Sequence, residues 1–206
     1  MRIAGKVTMV TVALVAAATL SACANSEQDS PGTSNRNSAP PPLPITTTAT
    51  TTSAAKPTSP ATYKPGPGEC TAEDVKIENA EFGKKPTITL PTTCQPPKGL
   101  VIKDLVPGTG PEIKQGSVLE ANYLLQTWSD KQIVDNSFDR GQTLSVQGIG
   151  SGRVIKGWDQ GLLGMKEGGR RLLIIPPDLG YGPQGKPPVK PNETLVFVTD
   201  AVKVTG

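Results

Sequence analysis

Trp158 stands between Gly157 and Asp159, and Tyr181 between Gly180 and Gly182, in a 206-residue chain that contains no histidine. Both lie in one nearly continuous stretch. Val154-Ile-Lys-Gly-Trp-Asp-Gln-Gly161 is followed by Gly168-Gly-Arg-Arg-Leu-Leu-Ile-Ile-Pro-Pro-Asp-Leu-Gly-Tyr-Gly182. A Gly-bounded segment too short for an ordinary helix thus leads into an apolar strand and then a Pro/Gly loop carrying one tyrosine. Tryptophan and tyrosine side chains can supply apolar contact and a few hydrogen bonds. Metal chemistry is not expected, because the three cysteines form no CxxC pair and there is no histidine to join them. Nor is nucleic acid an expected partner: the formal charge of +3 comes without a Lys/Arg stripe.

The elements that must position these residues are mostly strands. Leu100–Val106, ending before Pro107-Gly108, reads as the first strand of the main domain. Between Ser117 and Trp128 the alternation is clean, with Leu119, Ala121, Tyr123 and Leu125 on one face and Glu120, Asn122 and Gln126 on the other, so one face is buried. Leu144–Val146, Arg171–Ile175 and Leu195–Val204 supply further strands. Only one helix finds room, from Lys156 to Leu163, with Gly164 suited to the left-handed residue that closes it. The expected fold is α+β: a curved antiparallel β-sheet, a half-barrel, wrapped around one short α-helix. Lys166, Arg170 and Arg171 read as solvated surface.

The order of these motifs resembles the FKBP-type peptidyl-prolyl isomerases over residues 96–206. The matching parts are collinear: Gly-Thr-Gly near residue 110, Tyr123, Val134-Asp135-Asn136-Ser137, the Gly-Trp-Asp segment, Pro-Asp-Leu-Gly-Tyr-Gly and Thr194-Leu-Val-Phe197. The resemblance implies the same half-barrel fold and catalysis of Xaa-Pro isomerisation without cofactor, with proline-containing polypeptides as partners and macrolides as a candidate ligand class. Such catalysis needs no nucleophile or proton relay, because no bond breaks; the barrier of roughly 18–20 kcal/mol is lost amide resonance. It needs a pocket that favours the twisted, less polar amide over the planar one. Carried over, the resemblance makes Trp158 the pocket floor and Tyr123, Val154, Ile155, Tyr181 and Phe197 its walls. Val134, Leu144 and Val189 complete the substrate-binding set. Tyr123, Asp135, Trp158 and Tyr181 form the catalytic set, in which the Ile155 N–H and the Tyr181 hydroxyl orient substrate carbonyls and Asp135 sits beside the Tyr123 hydroxyl.

Each assignment has a plainer alternative. Trp158 and Phe197 could fill the core, Asp135 could turn the chain before Asn136-Ser137, and Tyr181 could anchor its loop. The chain also departs from the family pattern. Val134 and Leu144 stand where phenylalanines are usual, which at about 25 cal/mol per Å² of lost contact predicts about 1–2 kcal/mol, or roughly tenfold in rate or affinity. The loop Pro183–Asn192 is one residue shorter than in compact members and has Lys186 where a histidine often sits, so substrate preference and macrolide binding stay open. A non-catalytic module that holds proline segments is the alternative function.

The N-terminal part has a separate logic. Two positive charges in Met1–Lys6, an apolar run Val7–Leu20 and small residues after it make residues 1–22 a signal peptide, the run being short of the roughly 20 residues a spanning helix needs. Leu20-Ser21-Ala22-Cys23 resembles a bacterial lipobox, which implies lipidation of Cys23 and anchorage to the outer face of the cytoplasmic membrane or the cell surface. Residues 23–68 are Pro, Thr, Ser and Ala with almost no large apolar side chains, and are expected to be a disordered tether. Residues 69–95 form a short appendage with candidate strands Val75–Ile77 and Thr87–Leu90. Cys70 and Cys94, on the oxidising side of the membrane, should pair and close it, with two free thiols as the alternative. Whether the appendage adds a strand to the main sheet or braces the chain's entry is open. A monomer is expected.

Overall fold

The structure, a computed structural model, describes residues 61–206; the expected signal peptide, Cys23 and most of the tether lie outside them. Six strands form one antiparallel sheet in the order β3-β7-β8-β4-β5: β3 (Val101–Val106), β4 (Val118–Thr127), β5 (Ile133–Asn136), β7 (Arg170–Ile175) and β8 (Leu195–Thr205), with β6 (Leu144–Val146) also paired to β4. Two strands before it, β1 (Lys76–Glu78) and β2 (Thr87–Thr89), pair only with each other. Among the described residues the single α-helix, α1, spans Lys156–Gly161 and ends short of the expected Leu163. Gly164 follows in the left-handed region at φ 75°, and its N–H donates to the Ile113 carbonyl at 2.9 Å.

β7 and β8 lie in the middle of the sheet and are apolar on both faces for a physical reason: both faces are covered. Leu173, Ile175, Leu195 and Phe197 turn toward α1, together with Leu119, Ala121, Tyr123 and Leu125 of β4. Leu172, Ile174, Val196 and Val198 turn the other way, onto Ala72, Val75, Ile88 and Leu90 of the appendage. Leu172, Leu173, Ile174 and Ile175 are each fully buried. At about 1.5–3 kcal/mol for each buried aliphatic side chain, this one strand is a major source of stability. The expectation of one buried face on β4 therefore holds only for its first half; Leu124, Gln126 and Thr127 are buried as well.

The appendage is a second cover rather than an added strand. Its β1–β2 hairpin packs on the convex face of the sheet, and the Cys70–Cys94 disulfide, with Cα atoms 5.2 Å apart, ties its ends. Closing that loop contributes about 3–4 kcal/mol in the chain-entropy account. Order also begins before residue 69, within the expected tether: the Tyr63 N–H donates to the Leu100 carbonyl at 2.8 Å, and the Tyr63 hydroxyl donates to Glu69 at 2.9 Å. Tyr63 is a large side chain that reaches the second core, which is why the chain docks there.

Arg170 and Arg171 are not solvated. Their neighbouring positions on β7 point to opposite faces, and each face holds carbonyls that need donors. Arg170 is fully buried, pairs with Asp200 at 2.5 Å and donates to the carbonyls of Asn79 and Lys84 in the appendage. Arg171 donates to the carbonyls of Gly161 and Leu163 at 2.8 and 3.0 Å, capping the C-terminal end of α1, while Asp104 holds its other edge. Lys166 is exposed, as expected.

Candidate active site

The site forms where the outer edge of β4 changes partners. β6 pairs with Leu119–Ala121, β5 pairs with Leu124–Gln126, and between them Ser137 closes the edge at Tyr123 through its N–H and its hydroxyl. Asp135 is directly opposite Leu125, so its side chain emerges on the face that carries Leu125 and Tyr123. Phe197 is in register with Leu125 from the other side, and with Leu173 beyond it. A row of residues on the concave face is thus built by register alone.

α1 is laid across that row. Gly157 and Gly161 face β7 so closely that a methyl group at Gly161 would come within 2.8 Å of Leu173, and one at Gly157 would collide with Ile175. The close approach brings the Trp158 ring onto Tyr123 at 5.5 Å and 89° and onto Phe197 at 5.3 Å and 69°, both edge-to-face. Trp158 is 3% exposed, and among the described residues its buried indole N–H has no hydrogen-bond partner. Above this floor opens a cavity of about 410 Å³, a size typical of small-ligand sites. Tyr123, Asp135, Leu144, Val154, Ile155, Trp158, Tyr181 and Phe197 all line it.

The main cavity does not reach Val134 or Val189. These two line a neighbouring cavity of about 220 Å³, which shares Leu125, Asp135, Tyr181 and Lys186 with the first. Leu144 lines the main cavity at its open side and is 37% exposed.

The rim is polar. The Tyr123 hydroxyl donates to Asp135, Arg140 forms an ion pair with the same carboxylate, and Arg140 also donates to the Tyr123 oxygen at 3.0 Å. Burial by itself would raise the Asp135 pKa, but the bonds from Tyr123 and Arg140 outweigh it and hold the carboxyl below its ordinary range. Burial, and then the bond to Asp135, push the Tyr123 phenol up. Tyr181 is also pushed up, by burial first and the Asp135 charge second. Its hydroxyl has no protein partner among the described residues, and neither does the Ile155 N–H, so both are available to a ligand.

Sequence reasoning passed over Leu125, Arg140, Arg153 and Asp159. Arg140 belongs to a loop with no motif, and nothing in the chain's order links it to Tyr123. Asp159 did carry a signal, as the residue after Trp158: its carboxylate accepts the N–H groups of Gly150 and Gly152 at 2.7 and 2.8 Å, pinning the loop that delivers Arg153, Val154 and Ile155 to the cavity. Both glycines have positive φ, at 85° and 77°, which directs their N–H groups inward at no steric cost.

A family profile described as FKBP-type peptidyl-prolyl cis-trans isomerase matches residues 110–202. The FK506-binding protein of Streptomyces anulatus is 44% identical over 123 residues, covering 59% of this chain and 98% of that relative. The chain belongs to the FKBP-type peptidyl-prolyl cis-trans isomerase family. A probable FK506-binding protein of Corynebacterium glutamicum is 40% identical over 58% of this chain and 98% of its own length, and the FK506-binding protein of Neisseria meningitidis serogroup B is 44% identical over 52% and 96%. The FKBP match spans every residue that lines the cavity, whereas the β1–β2 appendage lies ahead of it. Peptidyl-prolyl isomerisation is the enzymatic activity of this family, and a proline-containing peptide is its substrate.

Proposed function

We propose that the protein is an exported, lipid-anchored peptidyl-prolyl cis-trans isomerase that assists the folding of exported proteins. The observation that carries this reading is the open cavity above Trp158, walled by aromatic and aliphatic side chains and edged by the unpartnered Tyr181 hydroxyl and Ile155 N–H. A planar Xaa-Pro amide is polar and well solvated, and the twisted amide is less so; moving both into an apolar pocket therefore penalises the planar form more and lowers the barrier. The Ile155 N–H and the Tyr181 O–H orient the carbonyls on either side of the proline. Asp135 has both its oxygens engaged by Tyr123 and Arg140, which suits a group that fixes the phenol at the rim. FK506, from which the relatives take their name, is a candidate ligand of the same cavity.

Export and anchorage rest on residues 1–22 and Cys23. Catalysed refolding of a proline-limited substrate, measured with micromolar full-length protein, tests the activity; unchanged refolding and unchanged peptide isomerisation would refute it. Fractionation of cells expressing Cys23→Ser tests the anchor: the protein is expected in the medium or soluble fraction, and retention in the membrane with an uncleaved leader would refute it. A second reading, a module that holds proline segments without turnover, is favoured by the small, exposed Leu144 wall. Binding of a proline peptide without acceleration would select it.

A further inference from the structure

Three ionisable side chains other than tyrosine line the main cavity: Asp135, Arg153 and Lys186. The one anion is already occupied, since Asp135 is bound by Arg140 and by the Tyr123 hydroxyl. The two cations are not. Among the described residues neither Arg153 nor Lys186 has a carboxylate or a hydrogen-bond acceptor for its side-chain nitrogens; the ammonium of Lys186 lies 5.6 Å from the Tyr181 ring centre, facing its π cloud. They come from two separate loops, and both loops are held. Arg153 adjoins the turn that Asp159 pins at Gly150 and Gly152, and Lys186 and Val189 exchange backbone hydrogen bonds of 3.0 and 2.7 Å. Two cations on ordered backbone therefore face a cavity whose own carboxylate is spent.

We propose that Arg153 and Lys186 make this site select proline segments that carry a carboxylate side chain next to the proline. The inference rests on the isomerase reading and names its preferred substrate. When the proline ring occupies the aromatic floor over Trp158, the residues before and after it extend to the mouth, where the two cations stand. An Asp or Glu there gains an ionic partner, and a Lys or Arg meets like charge. The cations are exposed to water, so each contributes only a fewfold, and together they predict about three- to tenfold in kcat/KM. Such a term is screened as the Debye length falls from about 10 Å at 0.1 M salt to about 3 Å at 1 M.

The test compares kcat/KM of the full-length protein on proline peptides that differ at one position, Glu, Gln, Leu or Lys, placed either before or after the proline. Glu and Gln are nearly isosteric, so their ratio isolates charge. The expected result is a Glu:Gln ratio of about three to ten at one of the two positions, with Lys slowest, collapsing toward one in 1 M salt. In the double variant Arg153→Glu, Lys186→Glu the order of Glu and Lys reverses, and in Arg153→Gln, Lys186→Gln the Glu:Gln ratio drops to one. A ratio near one in the unmodified protein, or a ratio that survives salt or both double variants, overturns the proposal while leaving isomerase activity intact. Absence of activity on all peptides overturns the isomerase reading itself, and the inference falls with it.

Discussion

Trp158 is asked to do two things that usually conflict: it is buried like a core residue, yet one face forms the floor of an open cavity. Replacing it by alanine removes apolar contact worth about 2–3 kcal/mol at 25 cal/mol per Å², so Trp158→Ala is expected to lower kcat/KM by roughly 30- to 150-fold. Tyr181→Phe removes a single ligand hydrogen bond and should cost only about three- to tenfold. Lys166→Ala, on the exposed surface, is the control; equal kcat/KM in all three folded proteins would reject the site. The rim makes a pH prediction. The Asp135 pKa is depressed, so the carboxylate stays ionised, and the stability it contributes is present above its unfolded pKa of about 3.9 and is lost only as pH falls below that. Both cavity phenols are pushed above their ordinary value. With no histidine in the chain, kcat/KM should be flat within about twofold from about pH 5 to 9. A limb near neutrality would show that a titrating group takes part in the chemistry.

At the scale of elements, the position of α1 depends on two missing side chains. A glycine inside an exposed helix normally gains stability, up to about 1 kcal/mol, on replacement by alanine. Here the opposite sign is expected. The methyl of Gly157→Ala would strike Ile175, a buried β-branched side chain on a central strand that has nowhere to move, so the variant should lose about 1–3 kcal/mol in a denaturant titration and lose activity as the helix and Trp158 are lifted. A gain in stability would mean that α1 does not lie this close to β7. Seven of the structure's strands were visible as apolar runs. β5 was not: Ile133-Val-Asp-Asn136 is short and half-polar, and it is a strand because the edge of β4 left free by β6 needs a partner. That hidden strand is the one that brings Asp135 to Tyr123.

For the molecule as a whole, the sheet is a partition between two cores, and the buried Arg170–Asp200 pair links the covering appendage to it. Asp200 also accepts the Gly83 N–H at 2.8 Å, so one carboxylate serves both the arginine and the appendage. Asp200→Asn leaves the guanidinium buried without its counter-charge and is expected to cost about 3–5 kcal/mol by chemical denaturation. The joint replacement Arg170→Met with Asp200→Leu should recover part of that loss, because two apolar groups need no compensation. If the single variant is as stable as the parent, the appendage is not held through this pair.

The residues themselves determined the class of the fold, because periodicity of two and glycine and proline punctuation are local properties that survive without coordinates; the pocket residues came from the collinear resemblance to the FKBP family, and most of them line the main cavity. The pairing of Cys70 with Cys94 was legible too, from the cysteine count and the compartment that residues 1–22 led one to expect. What only the tertiary structure decided is everything that depends on which face is covered. Arg170 and Arg171 looked like surface because arginine usually is, and became buried because β7 is roofed on one side by the distant appendage and on the other by α1. Val134 and Val189 fell into a side cavity, and Arg140 joined the rim, for the same reason: contacts between residues far apart in order are set by strand register and packing, which no local pattern encodes.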